Sequence, residues 1–317
     1  MLTIFTTGKP FQGHNGIIQR NALQSWKLLH PDVEVILFGD EEGAAQVCAG
    51  LGLRHEPHVE RSHVNPRLPV AAYLFERAQE IARHPWLCYL NCDIVLTPDL
   101  CSALRKLSEW RKEFLAIGRR WDLEINAPLE FQRPNWAHEL RQRALLHGTR
   151  RNNEIDYFLF RKGMYRGMPP LIIGRVYWDY WTVWKALSLG VPVVEVSPMV
   201  VVIHQNHDYS YVQETGSSQG VFSDPGAKWN YELAHKGKHF ATYEDCTHHL
   251  TRRGLLLPTF LRKQRRQAKE LLWQTFIHNT FWLRSRLGIR RRTWKRILGH
   301  TDVNELRREE PTARKDG

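Results

Sequence analysis

The stretch Trp86-Leu87-Cys88-Tyr89-Leu90 is an uninterrupted apolar run that follows Pro85 and stops at Asn91-Cys92-Asp93. So short a run, without polar alternation, predicts a strand covered on both faces, the position of an inner strand in a parallel sheet. Helices must then flank the sheet, which points to an α/β fold. The run ends on two short oxygen-bearing side chains. In a strand, residues two apart share a side, so Asn91 and Asp93 are expected to face one site. A carboxylate beside an amide oxygen suits Mg²⁺ or Mn²⁺, which keep other positions for water and phosphates. The competing reading is a turn, which Asn and Asp also favour.

The rest of the first half supports the α/β arrangement. Residues 2–7 predict a first strand, and residues 15–29 a helix with Asn15 as its cap and Ile18, Ala22, Trp26 and Leu29 on one stripe. Residues 33–38 predict a second strand ending at Gly39-Asp40. A short helix follows over 41–51 and is closed by Gly52, and another runs from Pro69 to about residue 83. This succession predicts parallel strands joined by right-handed crossovers. Ligands of such sheets bind beyond the carboxyl ends of the strands, where Thr6, Thr7, Asp40, Asn91 and Asp93 all fall. In the second half, 114–118, 157–160, 193–196 and 199–204 predict strands and 179–189 a helix. The Gly/Ser-rich residues 216–228 predict a mobile loop over the site.

Charge divides the chain. Of 45 basic and 33 acidic residues, 18 and 6 lie from Arg252 onward, leaving 27 of each before it. The net charge of +12 therefore belongs to the C-terminal segment, and a neutral body argues against nucleic-acid binding by the body. Residues 259–278 carry an apolar stripe (Leu261, Ala268, Leu272, Phe276) opposite Arg262, Arg265, Arg266 and Lys269. Basic residues alternate with Phe281, Trp282 and Trp294 beyond it. This pattern fits either an in-plane helix on anionic lipid or a helix packed on the body. No apolar run reaches the ~18 residues of a membrane-spanning helix, and Met1–Phe5 reads as a strand rather than a leader. The five cysteines are odd in number and lack Cys-x-x-Cys spacing, as in a reduced compartment. Phosphate-loop, dinucleotide and nucleophile-elbow motifs are absent. Cys246-Thr247-His248-His249 has no second cluster to complete a structural zinc site.

Thr6-Thr7-Gly8-Lys9-Pro10-Phe11, Leu37-Phe38-Gly39-Asp40, Tyr89-Leu90-Asn91-Cys92-Asp93, Trp178-Asp179-Tyr180-Trp181 and Val202-Ile203-His204-Gln205-Asn206-His207 together resemble the GT-A-fold glycosyltransferases of the nucleotide-diphospho-sugar transferase superfamily. The resemblance covers roughly residues 1–212. It departs from the family at Asn91, where the family's Asp-x-Asp carries a carboxylate. It implies a GT-A-like, mostly parallel Rossmann-type sheet flanked by helices over residues 1–250, and the charge pattern beyond it predicts a basic amphipathic helical extension over 251–300 and a disordered tail over 301–317.

The resemblance also implies roles. Thr6 and Thr7 line the base pocket, Lys9 and Arg67 meet the diphosphate, and Asp40 contacts base or ribose. Asp93, Asn91 and His204, with His207 as substitute, hold Mn²⁺ or Mg²⁺. Asp179 is the base of an inverting reaction, its carboxylate pKa raised by the surrounding indoles. Trp121, Trp178 and Trp181 meet the acceptor. The residues themselves leave other readings open: Lys9, Arg67 and the Arg119-Arg120-Trp121-Asp122 turn as solvated surface, Asp40 and Asp179 as helix caps, and the histidines as hydrogen-bonded turn residues.

The expected function is metal-assisted transfer of a sugar from a nucleotide-diphosphate donor to an acceptor hydroxyl of a cell-envelope or lipid-linked glycan. The expected location is cytoplasmic, with the extension resting on the inner membrane face. The alternative is a silent nucleotide-sugar-binding or membrane-associated scaffold of the same fold.

Overall fold

The computed structural model describes residues 1–151, 154–207 and 224–260, together with positions 264 and 268. The amphipathic pattern after residue 260, the tail and most of the Gly/Ser-rich segment thus lie outside the described residues. No helix among the described residues is long and apolar enough to cross a membrane.

In chain order the elements are β1 (Leu2–Thr7), α1 (Gly13–Lys27), β2 (Glu34–Phe38), α2 (Ala44–Leu51), β3 (Arg54–Glu56), α3 (Ala71–Ile81), β4 (Trp86–Leu90), β5 (Ile94–Val95), α4 (Asp99–Trp110), β6 (Leu115–Ile117) and β7 (Arg120–Leu123). There follow α5 (Trp136–His147), β8 (Thr149–Arg150), β9 (Tyr157–Arg161), α6 (Trp178–Ser188), β10 (Val193–Glu195), β11 (Val202–Gln205), α7 (Pro225–Leu233), β12 (His248–Leu250) and β13 (Leu256–Pro258). The main sheet has nine described strands in the order β13-β12-β10-β6-β9-β4-β1-β2-β3. Strands β1, β2, β3 and β4 are mutually parallel, β9 runs antiparallel between β4 and β6, and β10 and β12 continue parallel to β6. This is the mostly parallel α/β class, with helices flanking the sheet, that the sequence predicts.

The apolar run Trp86–Leu90 occupies the inner position its composition requires. Cys88 and Leu90 face a core layer with α1 and α4, and Leu87 and Tyr89 face a second layer with α3 and α6. α4 presents Leu100, Ala103, Leu104 and Leu107 to the first layer at helical spacing. In the second, Phe75 stacks on Tyr89 and Phe160 with ring centroids 5.5 and 5.6 Å away. Truncating so enclosed a ring costs about 3–5 kcal/mol.

Several expectations need correction. α1 begins at Gly13 with Gln12 at its cap, so Asn15 lies inside the helix. α2 begins at Ala44 with Gly43 as its cap, so Asp40 caps nothing. The strand expected over 199–204 is confined to Val202–Gln205, because residues 196–200 form a turn that carries the chain from the main sheet into a second one. That second sheet, β5-β11-β7-β8, was not foreseen: its strands are two to four residues long and pair across large sequence separations. Lys228, expected in a loop, lies in α7, whose first turn is capped by the Asp224 carboxylate. The body also passes residue 250: β13 pairs with β12, and the Thr259 hydroxyl donates to the carbonyl of Cys246.

Candidate active site

β1, β2, β4 and β6 run in one direction and deliver Thr7, Asp40, Asn91 and Gly118 to one edge of the sheet. β9 starts from that edge, directly after Asp156. Gly118 lets β6 turn into β7 without a side chain, since a Cβ there would lie 2.1 Å from the Tyr157 hydroxyl oxygen. The turn places Arg120 and Asp122 of the second sheet beside the carboxyl end of β4.

β4 ends at Leu90, and residues 91–93 form a turn rather than its last residues. Alternation along a pleat therefore does not apply, and Asn91 and Asp93 diverge. Asn91 Nδ2 donates to Asp156 Oδ1 at 2.8 Å, and the Tyr89 hydroxyl donates to Asn91 Oδ1 at 3.3 Å. Asp93 turns towards β11 instead. Its Oδ2 lies 3.0 Å from His207 Nε2 and 3.7 Å from His204 Nε2, and its Oδ1 is buried without a hydrogen-bond partner. Gln205 fixes this turn, its backbone N–H and its side-chain amide both donating to the Asp93 carbonyl at 3.2 and 3.1 Å.

Asp93, His204 and His207 present ligand atoms within 4.8 Å of one another. An unpartnered carboxylate oxygen beside two imidazole nitrogens fits a divalent cation. Behind His204, Nδ1 lies 3.2 Å from Asp122 Oδ1, the arrangement that orients a metal-binding imidazole. Arg120 joins Asp122 (2.8 Å) to Asp156 (2.8 Å), and Arg151 contacts the other Asp122 oxygen at 2.5 Å. Arg120, Asp122, Asp156 and His204 are all buried, so these charges depend on one another for solvation. Burial works to raise the Asp93 pKa, but His204, His207 and Arg120 outweigh it and hold the carboxyl at about 2. Burial likewise opposes ionisation of Asp122, yet His204, Arg120 and Arg151 keep it well below the usual carboxylate range.

Asp179 sits in the first turn of α6. Trp178, beside it, packs on Tyr89 and Phe158 with centroids 5.1 and 5.3 Å apart, which seats that turn at the ends of β4 and β9. Asp179 Oδ1 is buried and accepts no hydrogen bond. Burial above all, with Asp156 and Glu154 adding repulsion, raises its pKa to about 7, against the lowering by the backbone N–H groups of Asp179 and Tyr180. The preceding Tyr177 takes a φ of 84°, an uncommon conformation for a tyrosine and one that tends to persist at functional sites.

Other expected site residues are placed less simply. Thr6 is buried and donates to the Leu90 carbonyl at 2.6 Å, so it joins β1 to β4 instead of meeting a base. Thr7 is half-buried at the edge. Lys9 is exposed, on a loop tied to Gln19 through its backbone N–H. Asp40 is exposed and paired with Arg61 at 2.8 Å, and that guanidinium and the Asp40 backbone lower its pKa. Arg67 is exposed on the segment before α3. Trp178 and Trp181 are core residues, 5% and 3% exposed, whose indoles have no face left for an acceptor. Trp121 is half-buried with Arg150 over its ring. Asp156 carries no signal in the sequence, and Gln205 stands in a quoted motif without its role being legible, because nothing local marks a residue whose partners lie tens of positions away.

No family model matches the chain, and no curated relative matches it. Among solved structures, glucosyl-3-phosphoglycerate synthase from Mycobacterium tuberculosis, in complex with Mn²⁺, uridine-diphosphate and phosphoglyceric acid, is 11% identical over 71% of this chain and 78% of that one, with a TM-score of 0.41. A 1–349 fragment of S. aureus TarS is 7% identical over 51% of this chain and 47% of that one, with a TM-score of 0.33. Another TarS chain is matched over only 22% of its length, with a TM-score of 0.30. These overlaps are partial, and the chemistry of the site rests on its own geometry.

Proposed function

We propose that the chain is a glycosyltransferase that moves a sugar from a nucleotide-diphosphate donor to an acceptor hydroxyl. The observation that carries this reading is the Asp93, His204 and His207 cluster, with its unpartnered buried carboxylate oxygen, at the carboxyl edge of a mostly parallel sheet. Asp93, His204 and His207 would hold Mn²⁺ or Mg²⁺. The cation would supply neutralisation of the departing diphosphate. Asn91 sits beside this set but is engaged with Asp156 and Tyr89. Thr7, Lys9, Asp40 and Arg67 supply the donor side of the edge. Asp179, with its raised pKa, takes the proton of the acceptor hydroxyl, which suits an inverting transfer. The acceptor belongs to a cell-envelope or lipid-linked glycan, reached at the inner membrane face through the basic segment after Arg252.

The test is a thermal-shift screen of nucleoside diphosphates with and without Mn²⁺, because a ligand bound only by the folded state raises apparent stability, by about 2.7 kcal/mol at a hundredfold excess over Kd. A shift that needs both components and is lost in Asp93→Ala supports the reading, and an equal shift in Asp93→Ala sinks it. Turnover of the donor that the screen identifies separates an enzyme from a silent binder.

A further inference from the structure

A second cleft lies at the opposite edge of the main sheet. β6 and β10 start there, after Glu113 and Val191, and β9 ends there at Arg161. Its volume is about 560 Å³, within the ordinary range for small-molecule sites. Four cations line it, Arg161, Lys162, Arg166 and Lys185, against one acid, Glu113. Two of them are braced by backbone oxygens: Arg161 Nη1 donates to the Lys112 carbonyl at 3.1 Å, and Lys162 Nζ reaches the Ala82 carbonyl at 3.3 Å. Arg166 is exposed. Leu189, half exposed, adds an apolar wall.

The body up to residue 251 holds equal numbers of basic and acidic residues, so a local excess of three positive charges in one concavity is not the background of the surface. A cleft lined by one sign of charge focuses the field and concentrates counter-ions. Guanidinium forks and ammonium groups together match phosphate oxygens.

We propose that this cleft is a binding site for a small phosphate-bearing anion, separate from the metal cluster. Its occupant spans Arg161, Lys162 and Arg166 on the β9 side and Lys185 on α6.

Calorimetric titration of the full chain with inorganic pyrophosphate, at fixed ionic strength and with EDTA present, tests this. The Asp93→Ala variant serves as a second background. Saturable one-to-one binding is expected in both proteins. Arg166→Glu and Lys185→Glu should each weaken it at least tenfold, whereas Lys228→Glu, the same charge change on exposed α7, should leave it within twofold. Absence of saturable binding overturns the proposal. So does loss of binding in Asp93→Ala, which would place the anion at the metal cluster. Equal weakening by Lys228→Glu would reduce the effect to bulk charge and overturn it as well.

Discussion

Replacing Asp179 by Asn should stabilise the protein and disable transfer together. The carboxyl has a pKa of about 7 in the folded state against 3.8 ordinarily. A folded-state value raised this way means that folding takes up a proton between those two pH values. The stability it brings is full below about 4 and is lost as pH rises through about 7. At roughly 1.4 kcal/mol per pH unit the penalty on the charged form approaches ~4 kcal/mol at pH 8. The residue keeps some contact with solvent, which reduces this to about 2 kcal/mol. Asn keeps an oxygen for the backbone N–H groups of Asp179 and Tyr180, and its amide replaces the unpartnered oxygen without changing volume. The variant should therefore melt roughly 4–8 °C higher at pH 8, with the gain shrinking to nothing near pH 4. Transfer should fall by about two to four orders of magnitude, and in the parent it should rise through pH 7 as the base ionises. Melting curves from pH 4 to 8 and an initial-rate profile check both halves. A variant no more stable at pH 8, or one that transfers at the parent rate, would refute the reasoning.

Asn91→Asp should weaken the Mn²⁺-dependent thermal shift and lower the melting temperature, because a carboxylate would replace the amide that donates to Asp156, at a cost of about 1–3 kcal/mol; an unchanged melting temperature would show that Asp156 does not need that donor. Arg120→Met leaves Asp122 and Asp156 buried without their shared cation and should cost about 3–5 kcal/mol in denaturant unfolding, far more than the same change at exposed Arg133. Truncation after Thr259 keeps β13 and should leave a folded body that binds nucleotide but not anionic vesicles. The intact chain should bind vesicles and release them as salt is added, since exposed charges are screened within about 10 Å at 0.1 M. Equal vesicle binding by both forms would remove the extension from any membrane role.

The sequence by itself determined the α/β class, the order of the first four parallel elements and the edge at which a site would form. Those depend on local information: an apolar run such as Trp86–Leu90 leaves little choice but an inner strand, and strand ends follow from where the run stops. It also singled out Asp93, Asp179 and the histidines of β11 and the turn after it. It misjudged Trp178 and Trp181, because an indole reads the same whether it faces solvent or core, and only the packing of α6 on Tyr89 and Phe158 decides which. It paired Asn91 with Asp93 by strand alternation. The chain instead leaves the strand at Leu90, and each side chain goes to whatever partner the second sheet brings close. Asp156 for one, and His204 and His207 for the other, are separated from them by 65 to 114 positions. Such pairings carry no local signature, since they exist only once β7, β9 and β11 have been brought against the end of β4, and the burial of Arg120 there makes every charge around it depend on that assembly.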